Sequence, residues 1–219
     1  MRRFFLSFAV AMAALVSGSL SARADAVGPA LAPIDWTGAY GGISAGYGFG
    51  TSEHYVSGSS SGNYDVTGGL VGLETGYNWA AGPAILGIEA DISLSSVDGR
   101  TTTGCTNYCE TKLKWLGTLR ARAGYPMGKF MPYITGGLSV GRVRGEINGP
   151  VSNGSNSETR WGWNAGGGLA YAFTSGFSVK AEYLYTDLGE VDVLGIPSGT
   201  IKAKADNFQI IRIGLDFAF

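Results

Sequence analysis

Apolar and polar side chains alternate along most of this chain with a period of two. In NFQIIRIGLDFAF, residues 207–219, the odd positions carry Gln209, Ile211, Ile213, Leu215, Phe217 and Phe219, and the even ones include Arg212, Gly214, Asp216 and Ala218. That pattern predicts a strand with one oily face and one polar face. Residues 84–94 repeat it, with Ala84, Leu86, Ile88, Ala90, Ile92 and Leu94 against Gly87, Glu89, Asp91 and Ser93. The same period sets Val71, Leu73, Tyr77 and Trp79 against Glu74 and Asn78 in 68–79, and Leu113, Trp115, Leu119, Ala121 and Tyr125 against Lys112, Lys114, Arg120 and Arg122 in 111–125. It returns in 160–173, where Trp161, Trp163, Leu169, Tyr171 and Phe173 oppose Arg160 and Asn164, and in 177–188, where Phe177, Val179, Ala181, Tyr183 and Tyr185 oppose Lys180 and Glu182. With the glycine-rich segments 36–49 and 131–144, eight strands are predicted.

The connections sort by length. AAGP (80–83), PMGK (126–129) and TSG (174–176) are tight turns, whereas 50–65, 95–110, 145–158 and 189–206 are long and rich in Ser, Gly, Asn and Thr. Short turns at one end and long polar loops at the other predict an all-β fold, an eight-stranded antiparallel transmembrane up-and-down β-barrel with both termini on the short-turn side. Aromatic residues on the oily faces collect at two levels: Tyr77, Trp79, Tyr125, Tyr171, Phe173, Phe177, Phe217 and Phe219 toward the turns, and Tyr47, Phe49, Trp115, Trp161, Trp163, Tyr183 and Tyr185 toward the loops. Two interfacial girdles around a lipid band are expected.

The N-terminus carries a basic Arg2-Arg3, an apolar run and a small-x-small site at Ala22-Arg23-Ala24. This predicts a secretory signal peptide over 1–24, a short periplasmic lead-in over 25–35 and a barrel domain over 36–219. No later segment offers the roughly 18 consecutive apolar residues of a membrane helix. At the other end, Gly214, Leu215, Phe217 and the final Phe219 resemble the C-terminal assembly signal of bacterial outer-membrane barrels. The formal charge of −1 becomes more negative once Arg2, Arg3 and Arg23 leave with the signal peptide, which argues against nucleic acid as a partner. In an exported chain the only two cysteines, Cys105 and Cys109, most simply form a disulfide at a loop tip. Two free thiols or a partial metal site are the alternatives, although no His or further Cys stands near them.

The polar faces assign Glu74, Glu89, Asp91, Lys112, Lys114, Arg120, Arg122, Arg160, Lys180, Glu182, Arg212 and Asp216 to the barrel interior. Eight strands leave a lumen that side chains fill, and buried charges must be paired, so a plug of salt bridges is expected. The alternative is a narrow ion path lined by Arg120, Arg122 and Glu89. Because it only weakens a lumen network, Glu89→Gln is expected to be milder than Ile88→Arg on the lipid face. No catalytic or metal site is predicted. His54 is the sole histidine, and Ser52, Ser57, Ser59, Ser60 and Ser61 around it read as a solvated loop. Haem capture through His54 or Tyr55 is a sharper but less supported idea.

WTGAYGGISAGYG (36–48), GGLVGLETGYNW (68–79), WLGTLRARAGY (115–125), PYITGGLSVG (132–141), EYLYTDLG (182–189) and RIGLDFAF (212–219) together resemble the small porin-like β-barrels of alphaproteobacterial outer membranes, often called outer membrane immunogenic proteins. The resemblance spans essentially the whole chain beyond the leader. It implies an OmpA-type barrel exposed at the cell surface, with no shared catalytic residues and no cofactor to carry over, though some relatives are described as porin-like or haem-binding. A structural and surface-interaction role is therefore expected, with a low-conductance porin as the alternative. Outer-membrane lipid, lipopolysaccharide and the barrel-assembly machinery are the expected partners, and the extracellular ligand is not specified.

Overall fold

The computed structural model describes residues 34–56, 59–60, 64–103, 107–148, 154–196 and 199–219. The expected signal peptide and all of the lead-in but Ile34 and Asp35 lie outside these residues.

Eight wall strands run in chain order: β1 Gly38–Val56, β2 Tyr64–Ala81, β3 Ala84–Ser95, β4 Tyr108–Gly124, β5 Phe130–Asn148, β6 Gly154–Thr174, β7 Phe177–Asp187 and β8 Gly199–Ala218. Each pairs antiparallel with the next. β8 then pairs with β1, from Tyr40 opposite Ala218 to Gly50 opposite Phe208, and closes the ring. Closure matters because a strand edge in hydrocarbon would strand its N–H and C=O groups without partners.

The outer wall is apolar by alternation. Along β3, Leu86, Ile88, Ile92 and Leu94 face out while Gly87, Glu89, Asp91 and Ser93 are buried. Ile134 is 70 % exposed and has similar company in Leu73, Leu119, Leu138 and Ile213, a belt that water would not tolerate but lipid does. At the turn end the rings of Phe130, Tyr171, Phe173, Phe177 and Phe217 touch in sequence across four strands, with centroids 4.9, 5.0, 5.3 and 5.1 Å apart. Toward the other end Trp163 meets Tyr185 at 5.4 Å, and Trp161 stands 71 % exposed.

Two sequence expectations need correction. Much of the predicted loops 50–65, 95–110, 145–158 and 189–206 is strand: β1 runs to Val56, β2 starts at Tyr64, Asp98–Thr101 pairs with β4, and Glu190–Ile196 pairs with β8. Ser- and Thr-rich composition marks solvent, not coil, and an extended neighbour continuing from the wall offers these residues ladder hydrogen bonds. The second correction is one of phase. A bulge in β4 lets Lys114 and Trp115 share Arg142 as their opposite number, so the alternation shifts by one residue there. Leu113, expected on the lipid face, is buried inside, and Lys112 and Lys114, expected in the lumen, lie on the outer wall.

Candidate functional site: a layered lumen

The inward side of each strand changes character with depth. β8 presents Asp216 and Arg212, then Ile210 and Phe208; β4 presents Arg122, Arg120 and Thr118, then Leu116 and Leu113; β7 presents Lys180 and Glu182, then Leu184. A charged layer therefore lies beneath an apolar one, in which Leu70, Leu113, Leu116, Leu184, Phe208 and Ile210 pack together. Above these, the Tyr64 hydroxyl lies 2.7 Å and the Ser52 hydroxyl 3.3 Å from Thr111 Oγ1.

Glu89 is the hub of the charged layer and only 3 % exposed. Its Oε2 accepts from Lys180 Nζ at 2.6 Å and from the Tyr40 hydroxyl at 2.7 Å, and it lies 3.4 Å from Arg122 Nη1. Its Oε1 accepts from Arg120 and lies 3.4 Å from Arg212 Nη2. Glu182 takes Arg120 Nη1 at 3.0 Å and Arg212 Nε at 2.6 Å. Asp91 takes Arg212 Nη1 at 3.1 Å and the Thr118 hydroxyl. Lys180 Nζ also lies 3.1 Å from Glu74 and 3.5 Å from Asp216. Neither Glu74 oxygen receives a well-directed hydrogen bond, so this carboxylate is held by charge and confinement. Arg122 stacks over the Tyr133 ring at 4.3 Å and donates to the Tyr40 hydroxyl at 3.0 Å.

Glycine makes room for these long side chains. A methyl group on Gly214 would sit 2.6 Å from Glu74 Oε1 and 2.8 Å from Lys180 Cε. Gly76 faces the Tyr40 hydroxyl in the same way, so the glycines that weaken a strand elsewhere are here the space the plug occupies.

The turn-side mouth is crossed by the segment preceding β1. Trp36 packs on Ile85, Met131, Tyr133 and Ala170, and its indole N–H donates to Gly128 O at 3.3 Å, in the β4–β5 turn on the far side of the ring. Asn78 Nδ2 donates to Trp36 O at 2.9 Å. Just ahead, Asp35 accepts from the Thr37 amide at 2.9 Å and hydroxyl at 2.7 Å, which holds its carboxyl below the ordinary range.

Of the twelve charged residues assigned to the lumen from sequence, Glu74, Glu89, Asp91, Arg120, Arg122, Lys180, Glu182, Arg212 and Asp216 come together. Arg160 faces inward but stands apart near the rim, 2.5 Å from Glu158. Lys112 pairs with Glu110 at 2.9 Å on the outer wall, and Lys114 is exposed there. Gly214, Leu215, Phe217 and Phe219 sit at the β1–β8 seam, where Phe219 is 90 % exposed. Cys109 is buried opposite Thr101 and Ile147, while Cys105 lies outside the described residues. The side chains of His54 and Tyr55 lie outside them as well.

The apolar layer was missed by reading alternation alone. Its signal is present where both parities turn apolar at once, in Leu70-Val71, Tyr183-Leu184-Tyr185 and Ile210-Ile211. Such doublets mark a strand greasy on both faces, one toward lipid and one toward the lumen.

A closed antiparallel ring with a lipid-compatible outer wall, aromatic girdles and a charged interior defines an integral barrel of the bacterial outer membrane. Comparison with known proteins places it further. A family model described as outer membrane protein beta-barrel domain matches residues 10–219, and the chain belongs to that family. It is 38 % identical to the 31 kDa outer-membrane immunogenic protein of Brucella melitensis, over 87 % of this chain and 88 % of the relative. It is 30 % identical to the 25 kDa outer-membrane immunogenic protein of Brucella abortus over 99 % and 100 % of the two chains, and 31 % identical to a 22 kDa outer membrane protein of Rhizobium leguminosarum over 86 % and 82 %. Among solved structures, OprG of Pseudomonas aeruginosa superposes with a TM-score of 0.53 at 17 % identity, covering 84 % of this chain and 98 % of that one, a likeness of fold.

Proposed function

We propose that the protein is a structural and surface-presenting barrel whose lumen is closed to solutes, its long connections meeting the outside of the cell. The observation that supports this most directly is the hub at Glu89, tied to four cations from β4, β7 and β8 beneath an apolar layer. A hydrated ion would have to break several buried pairs, each costly to separate, and then shed its water to pass Leu116, Leu184 and Ile210. The void beside Asp91, Arg212, Leu116 and Leu184 measures about 10 Å³, room for about one water molecule. Trp36 adds a cover at the turn-side mouth.

Planar-bilayer recording tests the reading. Wild-type protein is expected to give no discrete conductance steps. Steps of fixed size that change when Arg120 or Glu89 is neutralised would instead identify a low-conductance porin and sink the closed-lumen reading.

A further inference from the structure

The β4 bulge does more than move two lysines out of the lumen. Lys112 faces Arg144 across the β4–β5 ladder, and Lys114, squeezed out by the bulge, stands with Trp115 opposite Arg142. All four cations are on the outer wall. Two are already answered: Lys112 Nζ lies 2.9 Å from Glu110, and Arg144 Nη2 lies 3.3 Å from Glu146. Lys114 and Arg142 are exposed, and among the described residues neither has an ion pair.

Like charges set side by side across a ladder repel, so this pair is unfavourable unless an anion joins it. Its depth identifies the anion. Arg142 lies opposite the girdle residue Trp115 and two residues beyond Val140, which pairs with the outward-facing Trp161, so the cations stand at the outer margin of the aromatic girdle, roughly 7 Å along the strand past Trp161. That is the level of the lipid headgroups, where indole rings sit at the boundary. A guanidinium there can grip two oxygens of a phosphate while an ammonium beside it supplies a point charge.

We propose that Lys114 and Arg142 form a binding site for the phosphate of an anionic lipid of the outer leaflet, with Trp115 against the lipid's upper acyl region. The site depends on the protein's place in the outer membrane and not on whether the lumen conducts. It is built by the bulge, because with unbroken alternation Lys114 would point inward and Arg142 would stand alone.

Native mass spectrometry of the full protein, purified from outer membranes and stripped of lipid in detergent, tests this with diphosphoryl lipid A as the probe. Wild type should retain the lipid, and Lys114→Gln/Arg142→Gln should bind it about tenfold or more weakly, given the contribution of each cation near an anionic surface. Lys114→Arg should keep binding, and Lys129→Gln, on the turn at the opposite end, should leave it unchanged. Heat-modifiability on a gel confirms that each variant folds, and if the double variant does not, the two single variants carry the test. Equal binding by the neutralised variants overturns the site. So does an equal loss in Lys129→Gln, which would mean diffuse attraction, or full displacement of the lipid by millimolar inorganic phosphate, which would mean an ion site with no preference for a headgroup.

Discussion

Removing the charge of Glu89 attacks the lumen at the point where most of its pairs meet. In Glu89→Gln the amide oxygen can still accept from Lys180 and Tyr40, now 2.6 and 2.7 Å from Oε2, but the carboxylate facing Arg120, Arg122 and Arg212 is gone. Deleting one member of a buried ion pair costs roughly 3 to 5 kcal/mol, because the other charge is left uncompensated. The low end, about 3 kcal/mol, applies here: four buried cations would still face the carboxylates of Glu74, Asp91, Glu182 and Asp216, and two hydrogen bonds survive. This raises the cost above the expectation from sequence that the change would be milder than a charge on the lipid face, because one carboxylate answers four cations and alternation does not show how the lumen charges are shared. Urea titrations in phospholipid vesicles, followed by tryptophan fluorescence and by heat-modifiability, give the free energy. Lys180→Met in the same background should couple, the double variant losing about 1 to 3 kcal/mol less than the sum of the singles. A Glu89→Gln barrel within about 0.5 kcal/mol of wild type, the range of an unremarkable surface change, refutes the hub.

Four further outcomes are expected. Ile88→Arg puts a charge into the hydrocarbon and should cost roughly 2 to 4 kcal/mol in the same titration; a lipid-soluble probe that labels position 89 and spares 88 contradicts the face assignment. Gly214→Ala forces a methyl group against Glu74 and Lys180 and should cost about 1 to 3 kcal/mol, whereas a neutral result means the plug can shift aside. Deletion of Phe219 should leave the chain in the periplasm, and normal yield of folded protein in the outer-membrane fraction counts against an assembly role for that terminus. Cys105 and Cys109 should appear bridged in non-reducing peptide maps, with reduction changing stability little because a loop of about five residues removes little denatured-state entropy; two free thiols in fresh membranes contradict the pairing.

The outer wall was legible from the chain alone. Ile88 faces lipid because its neighbours at two-residue intervals are apolar, and a bilayer asks nothing more specific of a side chain than that. Tight turns at 80–83, 126–129 and 174–176 then dictated antiparallel neighbours, and the ring followed. The lumen was legible only as a list of charges. Lys180 meets Glu89 although β7 and β3 share no ladder, since the lumen brings side chains together across its diameter, and no sequence spacing encodes that distance. The β4 bulge was equally hidden: LKWL fits either phase, and the bulge serves both, burying Leu113 opposite Val143 and Leu116 in the apolar layer while turning Lys112 and Lys114 to the outer wall. Sequence determined which faces avoid water because that preference is local to each residue. Tertiary structure decided which charges pair and which remain free because those energies depend on distances between strands far apart in the chain.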